Sequence, residues 1–199
     1  MKKSLVFLSL LLLATWAYPA DFKIMAGFSQ SKSTERIGPD GGVWLYTPYP
    51  EFGTGLAAGG GIEFSLTRNL AIEADALFIQ KGSRIRVEDM GMPIGHSMAR
   101  INELSIPVLV KVVLKPGTSP YILAGGEFAF VLTDGPKSVD YGLIGGIGFR
   151  KQLNNVGMSI EARYHHGLQD MRPDNLTVSD FPTGLRKMRG FVFMLGFSI

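Results

Sequence analysis

The sequence has no cysteine in 199 residues. That excludes disulfides, thiolate nucleophiles, thiolate metal ligands and a lipidated N-terminal cysteine. Beyond the N-terminus no stretch approaches the ~18 consecutive apolar residues that a membrane-spanning helix needs. Charge is scarce: Asp, Glu, Lys and Arg make up 19% of the chain, against about 25% in an ordinary soluble domain. The formal net charge of +3, from 20 Lys+Arg and 17 Asp+Glu, falls to +1 (18 against 17) once Lys2 and Lys3 are set aside with the leader. So balanced a chain carries no electrostatic footprint for nucleic acid. Histidine is confined to His96, His165 and His166, without metal-ligand spacing. There is no GxSxG motif. The glycine runs Gly59-Gly60-Gly61, Gly125-Gly126 and Gly145-Gly146 are followed neither by a helical pattern nor by Gly-Lys-Ser/Thr, so they read as curvature or close packing in strands rather than phosphate loops.

What the sequence does have begins with a leader. Lys2 and Lys3 precede an apolar run from Leu5 to Ala14, with small residues at Ala17 and Ala20. A run of about ten is too short to span a bilayer and fits a secretory signal peptide over residues 1–20, cleaved after Ala17 or Ala20. Residues 21–199 are then expected to form one exported domain.

That domain alternates. Phe191, Phe193, Leu195, Phe197 and Ile199 share one parity, and Val192, Met194, Gly196 and Ser198 the other. The same period of 2 recurs over 21–30, 55–66, 70–81, 101–115, 121–132, 141–150 and 156–165, predicting eight strands. Thr67-Arg68-Asn69, Lys115-Pro116-Gly117-Thr118 and Asn154-Asn155 read as tight turns. Residues 31–54, 82–100, 133–139 and 167–187 read as longer loops. Long and short connections therefore alternate, as in an outer-membrane barrel with short periplasmic turns and longer outside loops.

Charges within these strands keep to one parity: Lys23, Glu63, Glu73, Asp75, Lys81, Glu103, Lys111, Glu127, Arg150, Glu161 and Arg163, five positive and six negative. A soluble barrel would turn them to water. Bulky Phe and Tyr on the opposite face, Gly, Ala and Ser beside the charges, and strands of about ten residues favour the inverse arrangement, with apolar side chains toward lipid and charges along the axis. The expectation is an all-β, eight-stranded, antiparallel, up-and-down transmembrane β-barrel, its charges forming a structural ion-pair network that plugs a narrow lumen.

Glu103-Leu104-Ser105-Ile106-Pro107-Val108-Leu109-Val110-Lys111 resembles the "leiPlllky" strand of the PorT-like outer-membrane β-barrel proteins. Pro120 to Gly126, Tyr141-Gly142-Leu143 with Gly146 to Phe149, and Glu161-Ala162-Arg163-Tyr164 with Gly167-Leu168 are similar to later strands of that family. The resemblance covers residues 21–199 and implies an eight-stranded barrel in the bacterial outer membrane, in a class where few members have an assigned activity. His165-His166 replaces the family's small or polar pair.

No catalytic residue, metal ligand or cofactor is expected, because adjacent His165 and His166 on a strand point to opposite faces. Loops are the usual seat of binding. Trp44, Tyr46, Tyr49 and Phe52 in the first loop, and Arg186, Lys187 and Arg189 near the last, are the candidate contacts. The sequence thus points to a non-enzymatic envelope protein with a structural or interaction role, its partners being outer-membrane lipid, the barrel-assembly machinery and an envelope protein. A narrow small-solute channel and an outer-membrane lipid-modifying enzyme are the alternatives.

Overall fold

The computed structural model describes residues 20–33, 46–89, 92–114, 119–133, 138–154, 156–169 and 187–199. The leader, with both cleavage positions proposed within it at Ala17 and beside β1 at Ala20, falls outside this set except for Ala20 itself. Eight strands, β1 (Ala20–Ser33), β2 (Tyr46–Ser65), β3 (Leu70–Asp89), β4 (Met92–Val113), β5 (Ser119–Val131), β6 (Val139–Leu153), β7 (Val156–Gly167) and β8 (Met188–Ser198), pair in chain order. All neighbours are antiparallel, and β8 returns to β1 to close the barrel. The seam runs from Lys23↔Ser198 to Ser33↔Met188, and Phe22 and Ile199 exchange backbone hydrogen bonds of 3.0 Å beyond it. Closure leaves no sheet edge along the wall, as a lipid-embedded backbone requires.

The turns at one end follow their sequence chemistry. Thr67 Oγ1 accepts from the backbone N–H groups of Asn69 and Leu70 at 3.3 and 3.0 Å. Asn69 Nδ2 then donates to the Val113 carbonyl at 2.7 Å, tying this turn to the next strand pair. Asn154 takes φ 53°, the left-handed conformation that a two-residue hairpin demands and asparagine tolerates.

The alternating faces fall as the periodicity predicts. Phe22, Ile24 and Phe28, then Phe78, Ile106, Val108, Val110, Ile147, Ile160 and Leu195, are exposed outward. Lys23, Glu73, Lys111, Glu161 and Arg163 are buried inward. On β3 the apolar outer face runs from Leu70 to Phe78 and on β4 from Leu104 to Val112. About nine residues tilted near 45° match the hydrocarbon thickness.

In two segments read as loops, 31–54 and 82–100, the described residues are strand. Beyond the apolar belt β2, β3 and β4 continue together, with Tyr46↔Asp89 and Asp89↔Met92 as the last pairs. The polar segment 82–100 is therefore mostly a two-stranded ribbon. Period-2 polarity does not need lipid: Arg84 and Arg100 are exposed on this extension, and Arg86 pairs with Glu51 at 3.4 Å. Pro48 and Pro50, taken as turn formers, sit within β2 opposite Val87 and Ile85. Among the described residues β1 pairs with β2 only as far as Gly53, so these prolines need a ladder partner on one side alone, the edge position that proline tolerates.

Candidate functional site

The charged face of every strand converges on the barrel axis, and Arg163 on β7 sits at its centre with no solvent exposure. Its Nη1 meets Asp75 Oδ2 at 2.6 Å, its Nη2 meets Glu73 Oε1 at 2.5 Å, and its Nε donates to Glu161 Oε2 at 2.7 Å. Glu73 is shared further. Lys23 Nζ reaches its Oε1 at 2.6 Å and Lys111 Nζ its Oε2 at 2.9 Å. Lys23 also binds Glu161 at 2.9 Å, and Lys111 binds Glu63 at 2.6 Å. Tyr121 closes the group: its hydroxyl donates to Glu161 at 2.7 Å while its ring lies 4.2 Å from Lys111 Nζ. Arg150 extends the network toward the short-turn end, binding Glu63 at 3.2 Å and Asp21 at 2.8 Å. This lower layer sets four cations (Lys23, Lys111, Arg150, Arg163) against five carboxylates (Asp21, Glu63, Glu73, Asp75, Glu161). Buried charges persist only when paired and multiply hydrogen-bonded, and here nearly every one is.

The lumen is not one network, as the sequence suggested, but two. A second layer toward the long-loop end gathers on Lys81, which meets Glu103 at 2.5 Å, Asp140 at 3.4 Å and Glu127 at 3.8 Å. Glu127 also accepts from Ser105 Oγ at 2.8 Å and contacts His165 Nδ1 at 2.9 Å. Along β3 to β6 an apolar belt of Leu77, Ile79, Leu109, Leu123 and Ile144 separates the layers. Met25, Val192 and Met194 add to it from β1 and β8, while on β7 Arg163 and His165 are consecutive inward residues. A second apolar step, Ile101 against Met188, lies above the upper layer. Eight strands leave an interior only wide enough for side chains. At the short-turn mouth a cavity of about 280 Å³ is lined by Glu63, Lys111, Tyr121 and Arg150.

Glycines make this packing fit. A Cβ on Gly148 would run into the Tyr121 ring, and one on Gly61 would strike Asp75 Oδ1. Both residues face the lumen on strands adjacent to the groups they admit.

All eleven charges assigned to the lumen lie in it: Lys23, Glu63, Glu73, Asp75, Lys111, Arg150, Glu161 and Arg163 in the lower layer, Lys81, Glu103 and Glu127 in the upper. Asp21, Asp140, His165 and Tyr121 were missed. The first three share the parity of the charges on their own strands, so the same rule extended to the strand ends would have found them. Tyr121 likewise shares the parity of Glu127 on β5, but the assignment of aromatics to lipid hid it. Outside the lumen, Phe52 is exposed on the outer wall with Lys32 Nζ 4.7 Å from its ring centre. Arg189 lies on β8 and is half-buried, and Lys187 precedes β8 and is exposed. Trp44 and Arg186 lie outside the described residues, as do the side chains of Tyr46 and Tyr49.

His165 and His166 take opposite faces, the first buried in the lumen and the second on the outer wall. His165 and Ser105 both engage the same oxygen of Glu127. A hydrolytic triad needs the imidazole between nucleophile and carboxylate; here the carboxylate is in the middle.

A family model described as "Outer membrane protein beta-barrel domain" matches residues 20–172. Among solved structures, the outer membrane protein OprG from Pseudomonas aeruginosa is similar, at 16% identity and TM-score 0.51, covering 91% of this chain and 95% of that one. The outer membrane protein AlkL, determined in lipid bilayers, is similar at 14% identity and TM-score 0.52, covering 91% and 90%. At these identities the likeness is one of fold. A search of curated protein sequences gave no match.

Proposed function

The chain belongs to the outer membrane protein beta-barrel domain family, and from that premise we propose that this outer-membrane barrel is non-enzymatic and closed, acting as a structural or interaction protein of the cell envelope. The observation that carries the reading is Arg163, fully buried on the axis and bound to three carboxylates from β3 and β7. A side chain held by that many short ion pairs, with an apolar belt stacked on it, fills the path a solute would take. Work is then left to the outer wall and the long-loop end. In this reading residues 1–20 direct export, the assembly machinery inserts the barrel, and both ends of the domain face the periplasm. The Glu103–Lys111 and Glu161–Tyr164 motifs support a place in the PorT-like branch.

The test is single-channel recording from the refolded mature protein in planar bilayers. The expected outcome is a flat trace in wild type. Reproducible unitary steps, lost when the protein is heat-denatured before reconstitution, would overturn the closed-barrel reading in favour of a small-solute channel.

A further inference from the structure

Three strands that meet at the seam carry an unusual column on their lipid-facing side. The registers set Lys32 on β1 opposite Arg189 on β8, and Arg189 opposite His166 on β7. Lys32 and Arg189 share the outward parity of Phe28 and Phe193, and all three residues of the row are half-buried. Among the described residues no carboxylate pairs with Lys32 or Arg189. Like charges directly opposite on adjacent strands repel, so the row is arranged for an anion that bridges it. The row lies at the long-loop end of the strands, which outer-membrane barrels turn to the cell exterior.

Beneath it toward the membrane centre come Gln30, Phe191 and Tyr164, the two rings 5.2 Å apart. The next row is Phe28, Phe193 and Ala162, with the phenyl rings stacked at 5.0 Å. Then come Ala26, Leu195 and Ile160. The two alanines break an otherwise bulky wall. Around them, and extending to Ile147 and Phe149 of β6, is an apolar groove of about 630 Å³. From the basic row to Ala26 is a span of roughly 20 Å along the tilted strand, at about 3.3 Å per residue. That corresponds to a depth near half of the ~30 Å hydrocarbon core, the thickness of one leaflet.

We propose that this column is a binding site for a phosphate-bearing, acylated glycolipid of the outer leaflet, with a phosphate bridging Lys32 and Arg189 and one acyl chain lying in the groove over Ala26 and Ala162. The inference rests on the outer-membrane reading and goes beyond it by naming the partner and its site. Charge complementarity selects the head group, and the continuity of basic row, aromatic row and apolar groove selects an amphiphile over a soluble anion.

The probe is bisphosphorylated lipid A, doped into phosphatidylcholine nanodiscs holding the refolded mature chain. Native mass spectrometry reads the lipid retained as detergent strips the disc. Wild type is expected to keep bisphosphorylated lipid A in preference to its dephosphorylated form. Lys32→Gln/Arg189→Gln, which removes two surface charges, should weaken retention by about 30-fold. Ala162→Phe, which fills the groove, should lower it while leaving both cations in place. Should Ala162→Phe fail to fold, Ala26→Phe blocks the same groove from the neighbouring strand. Equal retention by wild type and both variants, or equal retention of the two lipid A forms, overturns the site. So does a crosslinked dimer through the groove that Ala162→Phe abolishes, which would make the occupant a second copy of this chain. Heat-modifiable gel mobility is scored on every sample. Its absence in wild type would strike the barrel reading itself, whereas a folded wild type without lipid preference would strike only this proposal.

Discussion

Removing the Arg163 guanidinium with Arg163→Met keeps most of the side-chain volume and deletes the charge. Glu73, Asp75 and Glu161 then face only Lys23 and Lys111, and the lower layer goes from four cations against five carboxylates to three against five. Asp75 suffers most, since Arg163 is its one ion-pair partner among the described residues. Breaking a buried pair by deleting one partner costs about 3–5 kcal/mol, because the remaining charge stays buried and uncompensated. Arg150→Met offers an internal scale. Its side chain is 25% exposed at the mouth, where a screened pair contributes about 0–1 kcal/mol. Urea titration of the refolded barrel in lipid vesicles, followed by far-UV circular dichroism and by heat-modifiable gel mobility, measures both. The expected difference between the two variants is about 3 kcal/mol. Arg163→Met/Asp75→Asn removes the stranded carboxylate charge and should recover part of the loss, giving a coupling energy of at least about 1 kcal/mol. Equal midpoints for Arg163→Met and Arg150→Met would refute the reasoning, for they would mean that the lumen is wet and its charges are individually solvated.

Other perturbations separate the faces and the packing. Val110 is 50% exposed in the lipid belt, so Val110→Arg should cost about 2–4 kcal/mol, whereas Ser105→Ala loses one hydrogen bond to Glu127, about 1.5 kcal/mol; equal folding yields in detergent would count against the assigned faces. Gly148→Ala drives a methyl into the Tyr121 ring and should cost about 1–3 kcal/mol. Gly145→Ala, on the same strand with nothing within 4 Å of the new methyl, should leave the urea midpoint within about 0.5 kcal/mol of wild type.

The strands and their faces were legible because both are local. A residue's side of the sheet depends only on its parity, so Lys23, Glu73 and Arg163 could be sent inward and Phe28, Val110 and Phe197 outward without knowing a single partner. The reading failed where period 2 continues past the lipid: polar alternation over 82–100 is as strand-like as the belt, yet polarity suggested loop, and Pro48 and Pro50 suggested turn although, among the described residues, only β3 pairs with β2 there. Which charges meet was beyond the sequence. Arg163 reaches Asp75 and Glu73 across 88 and 90 residues, and Lys23 reaches Glu161 across 138. Those pairings follow from the stagger between strands and the closure of β8 on β1, which fix the height of each side chain in the lumen. The same closure brings Lys32 beside Arg189 and divides the charges into two layers with leucine and isoleucine between them. Parity assigns each residue a side, but only the closed ring of registers assigns it a neighbour.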